Sequence, residues 1–245
     1  MGRMIASNSR HSVLRLATVA AALLAAFGLV AGCSKDAGES KNEAPLPDAT
    51  TLVTASSNSA KALRDVFVDL SVEGTVPNLP VKSVSAYLTN DPRVAGQGDA
   101  DVTFNGTPIK AKFVVVNGDL WAQLGAGQSY SNTGPAVNVY DASAILDPDK
   151  GIAKLISSVR DPKAEGREQI GGVDTVRMSG IIPGSALSGI VPRADLGDRP
   201  VTFWVQEAAP NNLVRANVGF DAGTLSVTLS DWGKKQQLLD PKTAK

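Results

Sequence analysis

The side chains able to do covalent or metal chemistry are few and unevenly placed. His11 is the only histidine and Cys33 the only cysteine in 245 residues. Both lie near the N-terminus, where Arg3, Arg10 and Arg15 accompany the apolar run LATVAAALLAAFGLVAG, Leu16 to Gly32. A basic start followed by an apolar stretch and small residues is the pattern of a secretory signal. The last four residues, Val30-Ala31-Gly32-Cys33, match the bacterial lipobox. There the small residues admit a peptidase ahead of the cysteine, and the sulfur takes a diacylglycerol as a thioether. The chemistry expected of Cys33 is therefore lipidation, which needs no partner thiol. Acyl chains contribute about 0.8 kcal/mol per buried methylene, so two or three would hold the chain on a membrane without a spanning helix. The alternatives are an ordinary signal peptide with an incidental cysteine, or an uncleaved anchor helix.

Cleavage before Cys33 removes His11. A mature chain without histidine or free thiol cannot build a Ser-His-Asp or Cys-His site, nor a His- or Cys-liganded metal site. The sequence has no Gly-x-Ser-x-Gly elbow, Ser-x-x-Lys pair, Walker loop or dinucleotide glycine loop. The carboxylate pairs Asp147/Asp149 and Asp99/Asp101 could serve as acid and base or as calcium ligands. Their settings read more simply as a turn before a helix and as the wet face of a strand. The protein is expected not to be an enzyme and to need no cofactor or metal. Removing three arginines from 24 basic residues, against 24 acidic ones, leaves the mature chain with a formal charge of about −3. That balance offers no cationic patch for nucleic acid.

Three segments follow from this reading: a signal peptide at 1–32, a lipidated tether at 33–47, and a single domain at 48–245. The tether, beginning CSKDAGESKNEAPLP, is polar and without apolar periodicity. As a coil it would let the domain stand about 20 Å from the bilayer. In the domain, Asp48 can cap a helix running to about Arg64, with Leu52, Ala55, Ser59 and Leu63 near one face. The period then changes to two. Val66, Val68, Leu70 and Val72 alternate with Phe67, Asp69, Ser71 and Glu73, the pattern of a strand with one dry face. The alternation returns in VSAYLTN, VAGQGDADVTF, IKAKFVVV and DLWAQL. Asn105-Gly106 and Asn117-Gly118 give hairpin signals between them. Helical spacing of Ile152, Leu155, Ile156 and Val159 interrupts the strands. A second meander then begins at EGREQIGGVDTVRMSG, carries a short helical piece near Gly184 to Val191, and ends in VTFWVQE, LVRANVGF and TLSVTLSDW. Strands, inserted helices and strands again imply α+β, with helices on one face of a long antiparallel sheet.

The dry face of the third strand is made of small residues. It reads Val94, Gly96, Gly98, Ala100, Val102 and Phe104, beside Ile109, Ala111, Phe113 and Val115, then Leu120, Ala122 and Leu124. Protein interiors are filled to crystal-like density. Either helices press close against the glycines, or the sheet curves around something that is not protein, with in-strand glycines permitting the bend. The second reading makes these residues the wall of an aliphatic cavity for acyl chains. Trp121, Tyr130 and Tyr140 are then candidates for its rim, having apolar rings and polar tips.

Several stretches carry a family resemblance: LPDATTLV, VPNLPVKSVSAYLTN, AKFVVVNGDLWAQL, NVYDASAILDPDKGIAKLI, DPKAEGREQIGGVDTVRMSG, PVTFWVQE and LSDWGKK. In this order, and over essentially the whole mature chain, the sequence resembles the mycobacterial LppX/LprA/LprF/LprG lipoprotein family. The resemblance implies a strongly curved antiparallel sheet, a half-barrel, with helices packed on its concave face and a hydrophobic cavity between. It implies as cargo triacylated lipids and glycolipids such as triacylglycerol, phosphatidylinositol mannosides and lipoarabinomannan. It also implies an inner-membrane major-facilitator transporter as partner, recognition of the acylated N-terminus by Toll-like receptor 2, and a monomer on the periplasmic side of the cell membrane, with the cell surface or the medium as further locations. The third strand is richer in glycine than the family pattern, which bears on pocket volume. A structural or host-interacting surface lipoprotein without a carrier role is the competing class.

Overall fold

A computed structural model describes residues 44–77, 79–104, 106–138, 143–188, 191 and 196–244. Cys33 and Tyr140, and with them the signal and nearly all of the tether, lie outside the described residues.

The chain enters through helix α1, Ala49–Ala62. Its first free amides are met as the sequence anticipates: Thr51 N and Thr51 Oγ1 both donate to Asp48 Oδ1 at 2.8 Å. The buried face is Leu52, Val53, Ser56 and Ser57, rotated from the anticipated one. Ser57 Oγ donates to the Ala153 carbonyl at 3.0 Å and so joins α1 to helix α3, Ile152–Ser157.

Among the described residues, eleven antiparallel strands form one sheet. The first meander is β1 (Asp65–Thr75), β2 (Val81–Thr89), β3 (Ala95–Phe104), β4 (Thr107–Val116), β5 (Asp119–Gln123) and β6 (Ser131–Pro135). The second is β7 (Arg160–Ile170), β8 (Val173–Ile182), β9 (Arg199–Gln206), β10 (Leu213–Phe220) and β11 (Ala222–Ser230). Their spatial order, β6-β5-β4-β3-β2-β1-β11-β10-β9-β8-β7, puts the first and last strands side by side in the middle. The chain therefore runs outward to one edge at β6 and crosses to the other edge at β7. A 3-10 turn (Ala136–Asn138), helix α2 (Ser143–Leu146) and α3 lie on that crossing. Helix α4, Gly184–Leu187, follows β8.

Hairpin chemistry fixes the register. Val116 pairs with Asp119 across Asn117 and Gly118, both in the left-handed region at φ 55° and 84°. That combination matches the right-handed twist of the flanking strands. Directly opposed residues share a face, so pairing propagates the dry face across the sheet. Leu88, Val66, Val68 and Leu229 lie on it and are at most 5 % exposed, as are Val176, Met178, Phe203 and Val205 from the second meander. The helices pack on this side. Among the described residues no helix is long and apolar enough to cross a membrane.

Candidate functional site

The small-residue face of β3 is one continuous surface with its neighbours. Gly96 opposes Val115, Gly98 opposes Phe113, Ala100 opposes Ala111 and Val102 opposes Ile109. Val115 and Phe113 in turn oppose Leu120 and Ala122 of β5. On the other flank Gly96, Gly98 and Ala100 oppose Leu88, Ala86 and Val84 of β2. The expected wall residues are therefore brought together, with three qualifications. Val94 sits just ahead of β3, half-buried and unpaired. Phe104 ends the strand, but its side chain lies outside the described residues. Leu124 lies beyond the end of β5 and is 63 % exposed.

The glycines have a specific reason. A Cβ at Gly98 would lie 2.2 Å from the Ser85 carbonyl oxygen, 2.7 Å from Ala86 Cα and 2.8 Å from Ala86 Cβ. One at Gly96 would meet Leu88 Cδ2 at 2.8 Å and the Tyr87 carbonyl oxygen at 3.0 Å. Every one of these atoms belongs to β2 rather than to a helix. Of the two explanations open to the sequence, the glycines serve the curvature of the sheet, because on a concave face the Cβ positions of adjacent strands converge.

Burial along this face is graded. At the end where β1 starts, Val66, Ala86, Leu88 and Val115 are buried. Toward the opposite end, where β3 meets β4, Val84, Ala100, Val102, Ile109 and Ala111 are only half-buried. Leu70 and Val72 of β1 and Val227 of β11 continue this zone. In the second meander Val201, Val218 and Leu225 are buried toward this end, and Leu187 of α4, Val191 and Leu196 belong to the same core cluster. A concave, aliphatic area thus remains under-filled beside the first meander. The described residues named here carry no titratable side chain, and their surface can offer a ligand dispersion contacts and dryness. Among the described residues no cluster of His, Cys, Asp and Glu could hold a metal.

The outer face differs from expectation. Phe67, Tyr87 and Trp121 occupy wet positions of the alternation, yet Tyr87 is 1 % exposed and Val114, on the same side, 0 %. The C-terminal segment covers part of this face: Gln97 Nε2 donates to the Gln237 carbonyl at 3.2 Å, and Leu239 N donates to Gln97 Oε1 at 2.6 Å. Beneath it Tyr87 donates to Asp65 Oδ1 at 2.5 Å. Burial, and next this bond to a carboxylate, raise the tyrosine pKa above its usual value. Tyr130, 8 % exposed, borders a recess of about 240 Å³ with Phe67, Tyr87 and Lys112. A neighbouring recess of about 360 Å³ is lined by Ser83, Asp101, Lys110 and Gln123. Lys112 and Asp99, 2.8 Å apart, border both, and the carboxylate raises the lysine pKa through their hydrogen bond and charge. Trp121 opposes Val114 and so shares this outer face. The two described rim candidates, Trp121 and Tyr130, thus lie across the sheet from the concave area. The signal in the sequence was the run of aromatics in wet positions together with the leucines of the C-terminal segment.

The geometry, a curved sheet with a half-filled aliphatic concavity, can be set beside known proteins. The family model described as LppX_LprAFG lipoprotein matches residues 48–238. The chain belongs to this family. It is 41 % identical over 225 residues to the lipoarabinomannan carrier protein LprG of Mycolicibacterium smegmatis, covering 90 % of this chain and 94 % of that one. It is 38 % identical over 234 residues to LprG of Mycobacterium tuberculosis, covering 95 % and 97 %. The crystal structure of LprF from Mycobacterium bovis superposes with a TM-score of 0.74 at 32 % identity, covering 81 % of this chain and 99 % of that one. LppX from Mycobacterium tuberculosis gives 0.60 at 25 % identity, covering 77 % and 97 %. The α+β half-barrel expected of the family is the fold observed.

Proposed function

We propose that the protein is a membrane-anchored carrier of triacylated lipids and glycolipids. Cys33 would carry the anchor, and the concave face between the half-buried strands and the helices would take the acyl chains. The observation that supports this reading is the graded burial of one apolar face: Val84, Ala100, Val102, Ile109 and Ala111 form an aliphatic surface that the protein's own side chains leave partly uncovered. A folded chain gains about 25 cal/mol for each Å² of apolar surface removed from water, so such a zone is stabilised by an apolar occupant. An acyl chain supplies methylenes worth about 0.8 kcal/mol each and asks for no hydrogen bonds. Triacylglycerol, phosphatidylinositol mannosides and lipoarabinomannan are the cargo this reading takes from the family, the last also named for the LprG relatives. Transit across the periplasm toward the outer envelope, an inner-membrane major-facilitator transporter as partner, a monomeric state and recognition by Toll-like receptor 2 belong to the same proposal.

The test is native mass spectrometry of a non-acylated chain beginning at Ser34 and produced in a mycobacterium. The expected spectrum contains a complex heavier by one triacylated lipid, and extraction returns that lipid. A spectrum of lipid-free protein alone, unchanged after incubation with triacylglycerol vesicles, rejects the carrier reading in favour of a structural or host-interacting lipoprotein.

A further inference from the structure

The dry series of β9 ends in a cation. It runs Val205, Phe203, Val201 and then Arg199, which pairs with buried Ile182 of β8. Register sets the level of this arginine. Val201 opposes Val218, Val218 opposes Leu225 and Leu225 opposes Val72. Two residues farther along, Arg199 comes level with Phe220, which opposes Gly223, which opposes Gly74. Half-buried Phe220 therefore lies about 7 Å beyond the row of Val72 and two strands, about 10 Å, to its side. This is the end of the dry face at which Val72, Val102 and Ile109 are only half-buried.

The Arg199 side chain is held on three sides. Nε donates to the Leu196 carbonyl, Nη1 donates to Asp221 Oδ1 at 2.7 Å, and the guanidinium carbon lies 5.4 Å from the centre of the Phe220 ring. The segment behind it is fixed in turn. Leu196 is 2 % exposed, and Gly197 packs so closely on the first residue of α4 that a Cβ at Gly184 would stand 2.4 Å from the Gly197 carbonyl oxygen. The adjacent Asp198 is engaged with Arg160. Nη2 of Arg199 makes no hydrogen bond to a described residue. The two partners of the ion pair differ sharply, with the Arg199 side chain 20 % exposed and that of Asp221 90 %. A carboxylate so well solvated is screened and loses little on leaving. A guanidinium pressed on an aromatic ring, with a donor to spare, suits two-point recognition of an oxyanion.

We propose that Arg199 is an anion subsite at the end of the concave face, taking the phosphate of a lipid whose acyl chains lie on the half-buried zone, with Asp221 displaced into water. The chains of such a lipid remove apolar surface from water, and its headgroup replaces a solvated carboxylate. A neutral lipid gains only the first, so the subsite favours phosphate-bearing cargo. The inference rests on the carrier reading above. A free phosphate ester offers the same oxyanion, and the test separates the two sources.

The experiment uses the non-acylated chain beginning at Ser34, which contains every described residue, and neutral-detergent micelles without other phosphate. Dioleoylphosphatidic acid and dioleoylglycerol, which differ only in the phosphate, are offered together, and their bound ratio is read by mass spectrometry of the recovered protein. The wild type is expected to favour the phosphatidic acid, and Arg199→Ala to lower the ratio about tenfold. Asp221→Asn removes the competing carboxylate without touching the buried contacts of Arg199, and should raise the ratio. Lys61→Ala deletes the same charge from an exposed position at the end of α1, just before β1 starts, and should leave it unchanged. A ratio unaffected by Arg199→Ala, or lowered as much by Lys61→Ala, overturns the subsite. A ratio that fails to rise in Asp221→Asn overturns the exchange and leaves the pair as a structural brace. Glycerol 3-phosphate is the second probe: displacement of phosphatidic acid only at concentrations well above that of the lipid supports a lipid headgroup, and displacement at equal concentration overturns the link to the concave face. Binding of neither lipid rejects the carrier reading and this inference with it, whereas binding of both with no part for Arg199 rejects the inference alone.

Discussion

Gly98→Ala tests whether the curvature of the sheet depends on the glycines of β3. The added Cβ would sit 2.2 Å from the Ser85 carbonyl oxygen and 2.7 and 2.8 Å from Ala86 Cα and Cβ. Ordinary contacts lie at about 3.5–4.0 Å, so the deficits are about 1 Å. None of the three atoms is the end of a flexible side chain, and relief requires β2 and β3 to move apart. Overpacking of this kind costs about 1–3 kcal/mol. The unfolded chain loses freedom when glycine becomes alanine, which offsets about 0.4–1 kcal/mol. A net loss of about 1–2 kcal/mol remains, and for a domain of this size each kcal/mol moves the midpoint by about 2–4 °C. The measurement is thermal unfolding of the lipid-free, non-acylated chain by circular dichroism. Gly166→Ala is the matched control, because an added Cβ there meets nothing within 4 Å and the strand carries no left-handed φ at that position. It should be neutral or slightly stabilising. A Gly98→Ala midpoint equal to or above that of the wild type would refute the argument that β2 and β3 approach too closely for a side chain.

Three further outcomes are expected. Ala100→Trp should reduce lipid transfer between vesicles with little change in the lipid-free midpoint, whereas Asp101→Trp on the other face should leave transfer intact; a large drop in midpoint with Ala100→Trp would mean that the zone is a filled core. Clickable palmitate should label the wild-type protein and not Cys33→Ala, and equal labelling of both would end the anchor proposal. Tyr87→Phe removes a buried bond to the Asp65 carboxylate and should cost about 1.5–3 kcal/mol in neutral urea titrations. Because the folded pKa of Tyr87 is raised above the ordinary 10.0, its contribution is fully present below pH 10 and is lost as pH rises through the folded value; the wild type should therefore lose stability above pH 10 more steeply than Tyr87→Phe, and parallel profiles would contradict this.

Much of this protein is written in local sequence. The alternation of Val66, Val68, Leu70 and Val72 with polar partners, the Asn117-Gly118 turn and the Asp48 cap each depend on interactions within a few residues, so periodicity and turn chemistry are enough to read them. The same holds for the face shared by Gly96, Gly98, Ala100 and Val102, since alternation along a regular strand fixes sides without knowledge of neighbours. What the glycines contact was not legible, because β2 closes on β3 only in a bent sheet, and both a helix and a strand would have asked for the same small residue. Nor was the second buried patch around Tyr87: its cover is the C-terminal segment held by Gln97, about 140 residues away in sequence. The central β1–β11 pair and the hydrogen bonds from Arg167 to the Ala44 and Pro45 carbonyls are likewise long-range events. Local pattern determines which side of each strand is dry. Only the closing of the two meanders on each other decides which part of the dry side its own side chains fill, and which part is left for something else.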